Sequence, residues 1–426
     1  MTTEYRPYGL WTAIALVVGG MIGSGIFLLP AQLAPFGVTA IVSWVMAIIG
    51  AMLLALLLGK LTSARPHTEG MVPLCADELG PIPGLLIGWS YWVSNCSTNA
   101  AYALGATRYL AFLWPVLGQT AVNTVVTSLV ILWSLTILNL GGARGVGLFQ
   151  QITTVLKLLP LIAILFVLGY FVLQGGHRFH PEWQAPYASA QLTPAVGITF
   201  FALLGFEGVS VISGRVRNPE RNIARATALG VAFTGLLYLA ISTGIAMTLT
   251  PTALGASGAP ISLFFSQFVG TRAGSLVALF AAISIIGALN GWILINAELP
   301  LGMARDGVLP RALAWTSRRE VPIPLLIATT GLSTLMVLAG LLRTTSGLLD
   351  TMVLLTTASV LWLFIGCCAA ALRMRLARPL ALLSLAFSFW VLYGTGWSVI
   401  GLSLIPMAPA LLLYWLGLGR ATEQPA

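Results

Sequence analysis

Only 8% of the 426 residues are charged, and this scarcity excludes more than any single motif does. An ordinary soluble domain carries roughly a quarter of its residues as Asp, Glu, Lys or Arg, so a chain this poor in charge cannot clothe a water-facing surface of normal size. His67, His177 and His180 are the only three histidines; they fall in two loops, too few and too scattered for a metal centre or an acid–base relay. The four cysteines, Cys75, Cys96, Cys367 and Cys368, lie in or beside apolar segments without the spacing of zinc ligands or of a disulfide framework. No GxxxxGKS or GxxxxGKT run and no HExxH occurs, and no Ser-His or paired-aspartate set falls within the apolar segments. Neither ATP coupling nor an intramembrane hydrolase is therefore indicated. No cofactor and no metal ion are expected, and without a carbonyl-filter sequence a channel is disfavoured.

What is present is apolar, with 58% hydrophobic residues. Runs of about 20 such residues recur along the chain, each long enough as a helix to cross a hydrocarbon core of about 30 Å. The short alternating segments of a β-barrel are missing. The first run follows a brief polar tail and continues into further structure, so no cleavable signal peptide is expected. The pattern reads as an all-α integral membrane protein with twelve transmembrane helices. They fall at about 10–35, 38–61, 81–113, 120–140, 147–174, 192–213, 225–249, 272–303, 322–342, 348–372, 379–395 and 397–418. Arg65-Pro66, Gly141-Gly142, Asn218-Pro219 and Asp306-Gly307 punctuate them, and only Gly394 to Gly396 divide the last pair.

Orientation follows from the basic residues. With the N-terminus inside, all but five of the 21 Lys and Arg residues fall on the inner side, the exceptions being Arg108, Lys157, Arg178, Arg272 and Arg343. The positive-inside rule then places both termini in the cytoplasm. The net charge of +9 marks topology and not nucleic-acid binding. Trp11, Trp44, Trp114 and Trp397 near span ends read as an aromatic belt.

Two spans are weakened at their own middle. In VGGMIGSGIFLLP (18–30) the Gly23, Ser24 and Gly25 triplet lies about 14 residues into the first span, about 20 Å deep. Five spans later TFFALLGFEGVSVISG places Gly205, Glu207 and Gly208 at the same point. Glycine is a poor helix former. Interruptions at corresponding positions of two five-span halves point to a transporter built from inverted repeats, its site lying where the helices unwind. The chain then divides, within a single domain over 1–426, into a first five-helix repeat (10–174), a second inverted repeat (192–372) and two additional helices (379–418). A small-residue packing face is the competing account; it serves Gly19 and Gly20 as well as a functional one does, whereas the paired breaks favour a site at Gly23, Ser24 and Gly25. Amides at a half-helix N-terminus suit a carboxylate, carbonyls freed at the second break suit an ammonium, and together they describe an α-amino acid.

MIGSGIFLLP in span one, YWVSNCSTNAAYALGATRYL in span three, GFEGVSVISGRVRNPERNI after the second break and GWILINAELPLGMARDGVLP around span eight resemble the amino acid, polyamine and organocation transporter superfamily. Within it the chain is most similar to the bacterial basic amino acid and polyamine antiporter branch, typified by arginine/agmatine exchange. The resemblance implies a LeuT-like 5+5 inverted repeat with helices 1 and 6 broken, set in the cell inner membrane, and a small-molecule substrate. It assigns the substrate carboxylate to Ser24 and the amides of Gly23 and Gly25, and the α-amine to the carbonyls of Ile22, Phe201 and Leu204. Trp292 would stack on the substrate's cationic end, Asn99 would read its side chain, and a span-ten hydroxyl falls at Thr356 or Thr357. The branch has a tryptophan where Phe201 stands, and a cysteine and a tryptophan where Asn95 and Cys96 stand. The α-amino-acid clamp survives these departures, but a preference for arginine does not follow.

Ionisable residues inside spans are functional candidates by default. Lys157 lies about 15 Å from the cytoplasmic end of span five, at the limit of a snorkelling stem. In related superfamily members a lysine there stands in for a sodium ion beside the first break. Because the antiporter branch has a small residue at this point, Lys157 points toward proton-coupled relatives or amino-acid exchangers. Glu207 is either a lock on freed amides or a proton carrier. Tyr91 and Glu298 are gating candidates, and Glu298 and Asp350 read equally well as solvated span ends. Arg215, Arg217, Glu220, Arg221 and Arg225 anchor topology and pair at a cytoplasmic gate.

The function expected is secondary active transport by alternating access, exchanging or proton-coupling a cationic amino acid or its derived amine. The spans containing the two breaks would rock against the other repeat helices, with Phe201 closing over the substrate. Symport or exchange of neutral amino acids is the alternative, and a non-transporting sensor a remote one. Membrane lipid is the surrounding partner, protons are candidate coupling ions, and a homodimer stays open.

Overall fold

In hydrocarbon the backbone has no water to bond, so a chain this apolar must pair its amides and carbonyls within helices. The computed structural model describes residues 9–65, 70–141, 143–176, 187–210, 216–305, 309, 311–317, 321–342 and 345–415. His67, His177, His180, Arg6, Arg178, Arg215, Arg318, Arg319, Arg343 and Arg420 lie outside the described residues. The helices, in order, are α1 (Leu10–Met21), α2 (Gly25–Leu33), α3 (Val38–Ala64), α4 (Met71–Leu79), α5 (Pro81–Leu113) and α6 (Ala121–Leu140). There follow α7 (Ala143–Leu173), α8 (Ser189–Leu203), α9 (Pro219–Thr248), α10 (Pro251–Ala256), α11 (Pro260–Phe268) and α12 (Thr271–Arg305). The last five are α13 (Ile323–Leu338), α14 (Thr345–Arg373), α15 (Arg378–Gly394), α16 (Trp397–Leu404) and α17 (Met407–Trp415).

Among the described residues six helices are long and apolar enough to cross a membrane: α3, α6, α7, α9, α12 and α14. Two bent pairs raise the number to eight: α1 with α2, bent by 47°, and α15 with the helix that follows, bent by 105°. Gly396, at φ +88°, turns the chain at the second bend, where Gly394 to Gly396 mark the sequence. α8 and α13 are shorter apolar helices. α5 has 33 residues but carries Ser94, Asn95, Ser97, Thr98 and Asn99 at its middle, all buried. A long helix with a polar waist inside the protein is the kind of element that lines a site.

Two packing styles divide the molecule. α5 runs antiparallel to α14 and is stitched to it by serines at helical spacing: Ser90, Ser94 and Ser97 donate to the carbonyls of Ser359, Thr356 and Met352 at 2.8, 2.9 and 2.9 Å. Further polar links tie in α12 and α13: Asn296 Nδ2 donates to Asn95 O at 3.1 Å, the Trp92 indole to Thr329 at 2.9 Å, and Ser333 to Cys96 O at 2.9 Å. Asn139 of α6 donates to Asn290 of α12 at 2.9 Å. On the other side α3 packs along α8 and α9, and α1 along α9, through small residues: a Cβ on Gly59 would lie 2.5 Å from Ala224 Cβ.

One expectation changes. Trp11, Trp114 and Trp397 are exposed, as a belt requires, but Trp44 is 1% exposed and packs edge-on against Tyr238 with centroids 5.9 Å apart. It belongs to the α3–α9 core. Cys75 and Cys367, 292 positions apart in the sequence, bring their sulfurs to 3.8 Å, tying α4 to α14 as buried thiols.

Trp44→Ala should cost about 3–5 kcal/mol of stability. Trp11→Ala, at a side chain 81% exposed, should stay within about 0.5 kcal/mol; thermal unfolding of the two variants in detergent checks the contrast.

Candidate functional site

α1 stops at Met21 because Ile22, at φ −73° and ψ 88°, turns the chain in an inverse γ-turn. The Gly23 amide consequently donates to Met21 O at 2.9 Å, leaving the carbonyl of Gly19 without its helical donor. Lys157 supplies the missing donor. Its ammonium, on a side chain 3% exposed, donates to Gly19 O at 2.6 Å and to Ile22 O at 3.1 Å. A cation at a helix C-terminus is favoured by the aligned peptide dipoles as well. The Tyr238 hydroxyl of α9 donates to Met21 O at 2.9 Å.

The second break touches the first. α8 ends at Leu203, Leu204 is extended, and Gly205 takes φ +108°. A Cβ on Gly205 would stand 2.6 Å from Gly20 O, so glycine is required both by the backbone angle and by this approach. Gly20 thus has a packing role, while the space around Gly19 Cα is open. Glu207 locks the turn: its Oε2 accepts from the Gly205 amide at 2.9 Å, and Oε1 accepts from the Tyr91 hydroxyl at 3.4 Å. Phe206 stacks on Phe364 of α14 with centroids 5.5 Å apart and planes 5° from parallel. Gly25 faces α8 closely, since a Cβ there would lie 2.9 Å from Ala202 Cα.

A small cavity opens where the two breaks meet α5, α12 and α14. Of the residues singled out in the sequence, Gly25, Asn95, Phe201, Leu204, Glu207, Trp292 and Thr356 line it. Ile22, Gly23 and Ser24 form the buried break beside it, and Tyr91 reaches it through Glu207. The others lie elsewhere. Cys96 packs with Trp92 and Val93. Thr357 donates to Gly197 O at 3.3 Å and to Val353 O at 3.1 Å, facing α8. Asn99 is fully buried, and among the described residues neither side-chain amide atom finds a hydrogen-bond partner. Glu298 is exposed on α12. Asp350, exposed at the start of α14, accepts from Gln32 of α2 at 2.6 Å. Arg217, Arg221 and Arg225 are exposed, while Arg215 and the side chain of Glu220 lie outside the described residues.

Sequence reasoning missed Ser94, Thr98 and Tyr102, which also line the cavity, and Tyr238 behind it. Positions 94, 98 and 102 recur every fourth residue along α5, a hydroxyl-bearing stripe on one face of the helix, and that period was the available signal.

The model of the family described as "Amino acid permease" matches residues 8–415. The chain belongs to the amino acid permease family. This permease is thus a multi-pass membrane transporter and not an enzyme. Among its relatives, the "Cadaverine/lysine antiporter" of Escherichia coli (strain K12) is 30% identical over 350 residues, 80% of this chain and 77% of that protein. The "Arginine/ornithine antiporter" of Latilactobacillus sakei is 29% identical over 345 residues, covering 78% and 72%. Its namesake in Pseudomonas aeruginosa is 28% identical over 432 residues, covering 94% and 88%.

For the permease as a whole, Lys157 is the side chain whose loss should be felt most at the break. Lys157→Met should lower stability by about 3 kcal/mol, because two buried carbonyls lose a charged donor. Tyr238→Phe should cost only about 1 kcal/mol, since Met21 O keeps the Gly23 amide. Thermal unfolding in detergent, compared across the two variants, checks the ranking.

Proposed function

We propose that the protein is an antiporter of cationic α-amino acids and their derived amines, working by alternating access. The observation that carries this reading is the meeting of two unwound helices at one cavity that is also lined by three aromatic rings, Tyr102, Phe201 and Trp292. The exchanges for which the relatives are named, cadaverine/lysine and arginine/ornithine, support the same substrate class.

On this reading the roles follow from which backbone groups are still available. The Gly23 amide and the Ile22 carbonyl are engaged by Met21 and Lys157. The carboxylate therefore falls to the Gly25 amide and the Ser24 hydroxyl at the start of α2, where the helix dipole favours an anion. The ammonium falls to the second break, at the Leu204 carbonyl and at Phe201 O, which accepts one bond from Leu204 and keeps a lone pair. Asn95, Thr356 and the face of Trp292 are left for the side chain. Lys157 and Glu207 hold the two breaks in shape and are the groups through which protons would couple.

The fold reading that accompanies this is a single domain over 1–426 of twelve transmembrane helices, with inverted repeats at 10–174 and 192–372 and two added helices at 379–418. Both termini are cytoplasmic and the membrane is the inner one. The moving body comprises α1, α2, α8 and α9 with α3, packed through small residues; the stitched set of α5, α6, α12, α13 and α14 is the frame. One observation favours a second reading, exchange of neutral amino acids: Glu207, the acidic residue of the cavity, is already bonded by Gly205 and Tyr91.

Counterflow into proteoliposomes preloaded with lysine, arginine, ornithine, cadaverine or leucine decides between them. Trans-stimulated uptake of the cationic solutes is expected, and saturable exchange confined to leucine would overturn the cationic assignment. Trp292→Ala should lose roughly 0.5–2 kcal/mol of cation–π contact, which is roughly a 2- to 30-fold fall in affinity for lysine relative to leucine. Competition binding measures it, and an unchanged ratio removes Trp292 from side-chain recognition.

A further inference from the structure

We infer that the Tyr102 hydroxyl binds the substrate carboxylate and selects the amino-acid form over the amine left by its decarboxylation. The inference rests on the amino-acid site proposed above. Tyr102 of α5 lines the cavity, and its hydroxyl stands directly over the first break, where a Cβ on Gly23 would come within 1.8 Å of it. The same oxygen reaches the Ser24 backbone amide and the Trp292 side chain, both of them donors.

A phenol has one proton to give and lone pairs to receive. Here the lone pairs face donors, and among the described residues no hydrogen bond uses the proton. Glu207, the nearby carboxylate, has one oxygen on the Gly205 amide and the other on Tyr91. Next to the phenol, Ser24 Oγ is fully buried with no hydrogen-bond partner, and α2 begins without a side-chain cap. The Tyr102 proton, the Ser24 hydroxyl and the Gly25 amide are thus donors left around the first break, and a group that satisfies several of them at once accepts several bonds and carries negative charge. A carboxylate does so, and the decarboxylated amine has nothing to place there.

The test uses full-length protein in proteoliposomes and two matched pairs, lysine with cadaverine and leucine with isoamylamine. Tyr102→Phe should raise the KM for the amino acid of a transported pair by about tenfold, the size of one charge-assisted hydrogen bond, and leave that of the amine within about twofold. Tyr102→His, which keeps a donor, should recover part of the loss and serves if the Phe variant is unstable. Equal losses for acid and amine would assign Tyr102 a packing role and overturn the inference, as would no change in either. If wild-type protein exchanges only the leucine pair, the cationic assignment fails while that pair still decides the role of Tyr102.

Discussion

The carbonyls at the end of α1 must find donors at membrane depth, and much of the molecule is arranged around that need. An unpaired carbonyl away from water costs several kcal/mol. Gly19, Met21 and Ile22 are therefore served by Lys157 from α7, Tyr238 from α9 and the Gly23 amide. Gly20 O is instead covered by the backbone of Gly205. A helix broken at one point thereby gathers three other elements onto that point. The break cannot be a local accident of glycine content, because its satisfaction draws on side chains 138 and 217 positions away.

The rest of the architecture divides according to how its helices are held. In the set built on α5, hydroxyls and amides donate across to neighbouring carbonyls, fixing both register and rotation. Each such bond between membrane helices is worth only about 0.6 kcal/mol, but three serines in phase along one face leave α14 a single way to sit. In the set built on α3 and α9 such stitching gives way to close approaches of small residues, as between Gly59 and Ala224, with the Trp44–Tyr238 ring contact beside them; close approaches specify distance more than register. The cavity lies on the seam between the two sets, and Gln32 with Asp350 bridges α2 and α14 across it. A seam between a keyed body and a smoothly packed one is where relative motion costs least.

How much of this could be read from the sequence depended on contrast with the apolar background. The two glycine breaks, the bounds of α5 and Lys157 stood out because glycine or charge in a hydrophobic run has few innocent explanations. Tyr102 and Tyr238 did not, because an aromatic ring in a span reads as core until a structure shows where its oxygen goes. The choice between Thr356 and Thr357 required the phase of α14: neighbouring residues on a helix differ by about 100° in direction, and only Thr356 turns toward the cavity. Trp44 was misplaced for a related reason, since closeness to a span end says nothing about which side of the helix faces lipid. The Cys75–Cys367 contact was beyond any spacing rule, being made between helices far apart in the chain.

The charge balance of the proposed site explains why side-chain selection rests on so few residues. On the proposed reading Lys157 serves one break and Glu207 the other, opposite in sign when both are ionised, and the backbone ends of a bound amino acid add no net charge. The carboxylate and ammonium ends would then be held by donors and acceptors that every α-amino acid can use, so the backbone clamp is indifferent to the side chain of the amino acid. On the same reading side-chain discrimination falls to Asn95, Thr356 and the ring face of Trp292. Of these only Trp292 distinguishes a cation by charge, while the other two offer dipoles that a neutral polar side chain satisfies equally well. A carrier built this way changes substrate by exchanging one or two side chains around an unchanged pair of helix breaks.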